Sequence, residues 1–404
     1  MLNSKALTRI QSIILIAIII IAGVTGVAYV WLSVDNESSD TIKIGFLDDL
    51  DGFLGKKALQ GATLAVEEIN EAGGILGRQV ELFSEDDDGG IDNVVFTNAL
   101  NKLITQDEVD FIVGSGSGQL GFLIQDIIAQ HKIIFLAGGS SPEAVTQRVL
   151  DDYETYKYYF SGAWNNTSVK LGVTDSMLHI RDITGFNKIG YLAEDLGWNK
   201  DIMDELDTFL PENGFELVYK GRFPFETIDF SSYFAAAESA GVEVLVPMIT
   251  SEVGIPFTKE YYDRQSPMLI FGGLNVFVSN PNGWNWTEGK CNNMDYSEIP
   301  TTTGYPFTSK TLQTRDAFMN RWGEAITMGG ASAYDGIRFI LVDAIERAGT
   351  IETDAVIKAL ETTNVETSNA RHFAFTPSHA LMMGTDANDP NADYPIVIGF
   401  QWQD

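Results

Sequence analysis

Cysteine is almost missing: Cys291 stands alone in 404 residues. That excludes an intrachain disulfide and any cysteine-built metal cluster. Histidine is nearly as scarce. His131 and His179 stand apart, and His372 and His379 do not have a ligand spacing typical of zinc. Positive charge is thin, with 26 Lys and Arg against 56 Asp and Glu, a formal net charge of −30. Such a surface repels a phosphate backbone, so nucleic acid is excluded as a partner. The acidity reads as a solvated coat that favours solubility. No Ser-His-Asp or Cys-His set can be assembled from the order of residues, so no catalytic chemistry is expected. Hydrophobic content is an ordinary 45%. It suffices for two cores, and the length points to two lobes.

One long apolar run is present. Residues 12–32, SIILIAIIIIAGVTGVAYVWL, carry no charge and are long enough to span a hydrocarbon core. Lys5 and Arg9 precede the run, and Asp35, Glu37 and Asp40 follow it. That polarity keeps the N-terminus cytoplasmic and sends the remaining chain outside. The run exceeds the apolar core of a cleaved signal peptide, so an uncleaved anchor is expected. The small-residue stretch GVA at 26–28 leaves processing open. No cysteine follows for lipid attachment. Asn36, Asn165, Asn166 and Asn285 each begin an N-x-[ST] triplet, which fits an exported chain. NESSD at 36–40 is a short polar linker.

From residue 41 short apolar runs alternate with helical patterns. Strands are expected at 42–47, 80–85, 111–114 and 133–138, and again at 188–193, 215–223, 242–249 and 268–273. Helices are expected between them. In KKALQGATLAVEEINEAGG (56–74), Leu59, Ala62, Val66 and Ile69 recur at helical spacing before a glycine pair. Asp92 is placed to cap the helix 93–105, and Pro142 to begin a first helical turn. The alternation predicts parallel sheets covered on both faces. Residues 276–310 break it, being rich in Asn, Thr, Pro, Gly and aromatics, and read as a long irregular excursion. Helices at 311–327, 332–348 and 352–362 and a strand at 395–403 follow.

DFIVGSGSGQLGF (110–122) spells G-x-G-x-x-G at Gly116, Gly118 and Gly121. A dinucleotide fingerprint follows the first strand of its unit and meets an acidic residue about 20 positions on. Here the motif follows the third strand, and the next strand ends in Gly138-Gly139-Ser140-Ser141 with no acid before Glu143. No nucleotide cofactor is therefore expected, and a dehydrogenase is disfavoured. Two successive strand ends instead carry small, hydroxyl-rich loops. Backbone N–H groups at helix starts together with serine hydroxyls suit a carboxylate. Ordinary strand-to-helix turns use the same residues.

The order of these segments resembles the branched-chain amino-acid-type binding proteins of ABC transporters. The pattern G-x-x-x-A-x-x-x-I-N-x-x-G-G-I-x-G is met by Gly61, Ala65, Ile69, Asn70, Gly73, Gly74, Ile75 and Gly77. FIVGSGS, GGSSPEAVTQR, KIGYLAEDLGWNKD and the closing GFQW extend the likeness over nearly all of 41–404. The resemblance implies a class I periplasmic-binding fold: α/β, two doubly wound parallel-sheet lobes joined by a three-crossing hinge. Lobe 1 would comprise 41–160 plus 276–368, and lobe 2 would comprise 161–275 plus 369–404, after an N-terminal membrane segment and linker at 1–40.

The resemblance also carries ligand contacts. Ser115 and Ser117 match the loop that holds the ligand carboxylate. Gly139 and Ser140 match the loop that meets carboxylate and ammonium. Trp198, in the segment opened by Asp195, matches an aromatic cover. Thr250 or Ser251 matches a strand-end position that is often aromatic. The position of an acid that meets the ammonium falls on Leu274 or Asn275, neither of which is acidic. The ligand is thus left open among an amino acid bound differently, an amide, a urea-like compound and a short carboxylate. Glu194, Asp195 and Glu252 are alternative sources of charge. Phe53, Trp164 and Phe277 are candidate walls. The acidic loops 84–92 and 386–393 lack the order of a calcium loop and read as solvated turns; no metal is expected. GWNW (283–286) reads as a packing cluster. The function implied is an extracytoplasmic, membrane-tethered solute-binding protein that hands a small polar ligand to an ABC permease. A ligand-sensing ectodomain with a separate signalling partner is the alternative.

Overall fold

A computed structural model describes residues 41–404 except 91, 115–119, 140–141, 163–165, 198, 385–392, 396–397 and 404. The apolar run at 12–32 lies outside the described residues. Among those described, no helix is long and apolar enough to cross a membrane.

Two parallel sheets organise the chain. The first contains β1 (Ile42–Asp48), β2 (Val80–Asp86), β3 (Phe111–Gly114), β4 (Ile134–Ala137) and β5 (Tyr159–Ser161), in the order β2-β1-β3-β4-β5. Every neighbouring pair is parallel. The second contains β6 (Lys188–Glu194), β7 (Glu216–Phe223), β8 (Val244–Ile249), β9 (Leu269–Ile270) and β10 (Leu274–Asn275). Its order is β10-β8-β6-β7, with β9 also on β8. The single strand expected at 268–273 is therefore split between β9 and β10, where Gly272 takes a positive φ of 66°. A third, antiparallel pair joins β11 (Asp295–Glu298) to β12 (Ile398–Gln401).

Helix α1 (Phe53–Glu71) follows β1 and buries Ala62, Val66 and Ile69 as their spacing requires. Its end explains the asparagine–glycine signature. Asn70 donates from Nδ2 to the Val80 carbonyl at 2.8 Å and accepts from the Val80 N–H at 2.7 Å, fastening the helix end to β2. Gly74 takes φ 84°, and a Cβ there would fall 1.9 Å from the Arg78 carbonyl oxygen. No side chain fits that turn. Helix α2 (Asn93–Thr105) is capped by Asp92, whose Oδ1 accepts from the Val94 N–H at 2.7 Å. After Pro142, the helix Glu143–Asp151 begins at the next residue.

The first sheet has a core built from Phe46, Phe111, Phe135 and Ile124, joined by Ile299, Phe318, Ile337, Ile345 and Leu360. The second sheet is buried on both faces. Ile189, Tyr191, Val244 and Val246 point into one cluster, whereas Leu192, Leu245 and Ile249 point into another with Phe230, Phe234 and Phe257. Alternation along β6 and β8 produces this division.

The excursion is more ordered than its composition suggests. It holds short helices at Val276–Ser279, Gly283–Trp286 and Pro300–Thr303 as well as β11. Val278, Cys291, Met294 and Tyr296 enter the second core, and the first core takes over at Ile299. Ala370, Phe373, Phe375 and Leu381 also belong to the first core. Packing thus draws 278–296 to the second sheet and 370–381 to the first. The buried aromatics and sulfur-bearing side chains of the excursion, invisible as a periodic pattern, decide this.

Candidate functional site

Both sheets reverse their strand order at one point, and ligands of open parallel sheets collect there, beyond the carboxyl ends of the strands. In the first sheet the reversal lies between β1 and β3, and in the second between β6 and β8. The carboxyl edges meet each other at an aromatic contact. Phe53, at the start of α1 just past β1, lies 5.6 Å from the Phe277 ring, just past β10. It also meets Trp286 edge-on at 5.0 Å. Phe53 and Phe277, both candidate walls, pack on each other and on Trp286 of the GWNW stretch.

The first rim is made of small residues. Gly114 ends β3 with φ 129°, and a Cβ there would lie 2.2 Å from the Leu47 carbonyl oxygen. β3 must therefore end in glycine to sit this close to β1. Gly138 donates its N–H to the Gly114 carbonyl at 3.0 Å, and Gly162 donates to Ala137 at 2.9 Å. Gly139 is half-exposed beside them. Ser115, Ser117 and Ser140, expected on these loops, lie outside the described residues, as do Trp164 and Trp198. Beneath the rim is a small cavity of about 40 Å³ touched by Val113, Gly138, Gly162, Ile299, Asp335 and Asn369.

The second rim is organised by a buried carboxylate. Glu194, at the end of β6, is fully buried. Its Oε2 accepts from the Thr250 N–H and the Thr250 hydroxyl, both at 2.8 Å. Its Oε1 accepts from the Ser251 N–H at 2.9 Å and from the Ser251 hydroxyl. Four donors occupy both carboxylate oxygens, so the charge is satisfied within the protein. Thr250 and Ser251, expected as ligand contacts, lie just past β8 with their hydroxyls turned to Glu194. Asn199 also donates from Nδ2 to the Glu194 carbonyl at 2.7 Å. Asn275, opposite Ile249 in the register, is fully buried. It donates from Nδ2 to the Gly254 carbonyl at 3.2 Å and accepts from the Val278 N–H at 3.2 Å. Leu274 is buried as well. Asp195 pairs with Arg222 at 2.7 Å.

Two further acids are buried, Glu298 where the chain passes between cores and Asp335 among helical residues of the first core. Glu298, between Tyr296 of the second core and Ile299 of the first, accepts from the Ser279 hydroxyl and the Ile299 N–H, each at 2.9 Å. Burial pushes its carboxyl up to about 7. Asp335 accepts from the Ser368 hydroxyl at 2.8 Å and from Asn369 Nδ2 at 3.1 Å. Burial pushes it up to about 6. Sequence reasoning did not single out either one. A lone acid in an apolar stretch (YSEIP, SAYDG) is the signal that was there.

In the loop 84–92, Asp86 and Asp87 accept backbone N–H groups of their own turn. Among the described residues no group of three or more His, Cys, Asp or Glu is placed to hold a metal ion. The loop 386–393 lies almost wholly outside the described residues.

Residues 41–386 match the family described as periplasmic binding protein. The chain belongs to that family. This periplasmic binding protein is 25% identical over 385 residues to the Leu/Ile/Val-binding protein homolog 7 of Brucella melitensis, covering 91% of this chain and 90% of the relative. Its fold is that of an ABC transporter substrate-binding protein from Sphaerobacter thermophilus, with a TM-score of 0.71 at 20% identity over 90% of this chain and 98% of the other. A branched-chain amino acid transporter substrate-binding protein from Streptococcus pneumoniae, in complex with isoleucine, has a TM-score of 0.73 at 18% identity over 89% and 100%. A solute-binding protein from Rhodopseudomonas palustris, in complex with 3,4-dihydroxy benzoic acid, has a TM-score of 0.72 at 16% identity over 90% and 98%. These likenesses agree with the α/β architecture of parallel sheets described above.

Proposed function

We propose that this protein is the extracytoplasmic binding component of an ABC importer, and that it captures a small carboxylate with an apolar body. The observation that carries the ligand class is the saturation of Glu194 by four donors from Thr250 and Ser251. A carboxylate so engaged has its lone pairs filled and leaves a ligand ammonium no acceptor to bond to, and Leu274 and Asn275 supply no acid in its place. The glycine rim of the first sheet, continued by Ser115, Ser117 and Ser140, holds the ligand carboxylate by N–H and hydroxyl donors. Trp198 covers the ligand from the second rim. The relatives' ligands, isoleucine in one and a hydroxylated benzoate in another, share the carboxylate that this rim suits. Of these two, the unsatisfied ammonium disfavours the amino acid. Capture and hand-over to a permease need no chemistry on the ligand. Residues 12–32 tether the protein to the membrane, with the binding lobes outside.

Thermal unfolding of the full chain against benzoate, 4-hydroxybenzoate, isoleucine, urea and NAD tests this reading. Benzoates raise the midpoint most, and NAD leaves it unmoved. A rise with urea or NAD alone, or turnover of any bound compound, overturns it. Ser140→Ala weakens benzoate binding about tenfold, the worth of one hydrogen bond to a charged group, with the melting midpoint nearly unchanged.

A further inference from the structure

We infer a second small-molecule site, outside the cleft, that takes a planar aromatic anion. The site is a groove of about 350 Å³ on the outer side of α1, lined by Phe53, Lys56, Lys57, Gln60, Thr63 and the Trp322 ring. That volume lies within the range of small-ligand pockets, about 300–1,000 Å³. Phe53, Lys56, Lys57, Gln60 and Thr63 recur at intervals of three and four and so share one face of the helix. Trp322 closes the groove from the end of the helix Thr311–Trp322.

The lining combines three features. The walls are aromatic, from Phe53 and Trp322. Two buried polar atoms have no hydrogen-bond partner: the indole Nε1 of Trp322, a donor, and the Oε1 of Gln60, an acceptor. Buried groups of this kind are rare and costly, and a rotation of either side chain toward the groove lets an occupant supply the missing bond. The third feature is local positive charge. Lys56 lines the groove and is exposed, with its Nζ donating to the Asp51 carbonyl at 2.8 Å. Lys57 is buried against Glu324, which neutralises it. The charge left to attract an anion is therefore that of Lys56. A ring stacked on the aromatic walls, with a carboxylate toward Lys56 and a hydroxyl or amide toward Gln60 and Trp322, satisfies all three. The groove is not isolated from the cleft: Phe53 is also the ring that meets Phe277 and Trp286 across the two sheet edges.

Equilibrium dialysis of the full chain against labelled 4-hydroxybenzoate counts the sites. The expected result is two equivalents bound per chain. Lys56→Glu, at an exposed position, weakens one of them at least tenfold and leaves the other untouched. Gln60→Met weakens the same one, and Ser140→Ala weakens only the other. Uncharged 4-hydroxybenzyl alcohol fills the groove less well than the carboxylate. Binding of one equivalent that Lys56→Glu and Gln60→Met leave unchanged overturns the groove, as does equal occupancy by the alcohol. One equivalent that is lost in Lys56→Glu and kept in Ser140→Ala supports the groove while counting against the cleft reading, so the two failures are distinguishable.

Discussion

The two sheet edges solve the same problem by different means. The first edge approaches by having no side chains: Gly114, Gly138 and Gly162 link β3, β4 and β5 through backbone bonds alone. The second is held by one side chain, the Glu194 carboxylate, which gathers the donors of Thr250 and Ser251 at the end of β8. The carboxylate edge has spent its donors and the carboxylate's lone pairs internally, so Glu194, Thr250 and Ser251 have those groups already engaged. The difference teaches that equivalent positions at two switch points need not share the work of recognition.

The largest effect expected is on the glycine edge. Gly114→Ala forces a Cβ against the Leu47 carbonyl oxygen at a backbone angle that alanine disfavours. It costs about 4 kcal/mol or more, read by denaturant unfolding. Glu194→Ala strips the acceptor from four buried donors and costs about 3 kcal/mol in the same measurement. If Gly114→Ala proves the milder of the two, the contrast drawn between the edges is wrong.

Next comes the crossing at Glu298. Its folded value near 7 lies above the ordinary carboxyl value of 4.5. The unfolded chain therefore loses this proton first as pH rises. The group's contribution to stability is full below about 4.5, declines as pH rises to about 7, and stays lost above that. Glu298→Gln keeps the Ser279 contact without the titration. It raises the melting midpoint at pH 8 relative to the parent and not at pH 4. An equal rise at both values removes Glu298 as the cause.

Smaller again is the contact between the edges. Trp286→Ala removes the ring that Phe53 meets edge-on, a pair worth about 1 kcal/mol. Ligand affinity falls about fivefold, because the contact that joins the two rims is lost. An unchanged affinity separates this aromatic contact from ligand binding. The smallest effect is at Cys291, which is fully buried and whose thiol burial pushes up. It stays unmodified by a thiol reagent until the chain is unfolded.

Much of this was legible in the residues because it is local. Asp92 announced its helix, since a cap needs only the next turn. The glycine pair after Asn70 announced a turn that only glycine can take. The alternation of apolar runs announced parallel sheets, and the family resemblance put Thr250 or Ser251 at a strand end, just where β8 stops at Ile249. The GWNW stretch was read as a packing cluster, and its rings do pack: Trp284 lies 6.2 Å from Trp402, and Trp286 meets Phe53. What was not legible depends on distant pairs. That Glu194 takes its donors from residues more than fifty positions away follows from β6 and β8 being neighbours. That the excursion packs on the second core follows from where Tyr296 and Cys291 are buried, and no periodicity encodes that.

The sequence by itself determined the α/β class, the acidic surface, the glycines where backbones come close and the apolar run at the start. Each rests on composition or on contacts within a few turns of chain. Only the tertiary structure decided which polar groups are already spent. A hydroxyl on a strand end looks the same in a sequence whether it faces a ligand or a buried carboxylate. Free energy separates the two, since a buried charge takes the donors nearest to it first. For that reason Thr250 and Ser251, expected at a ligand, have their hydroxyls turned to Glu194.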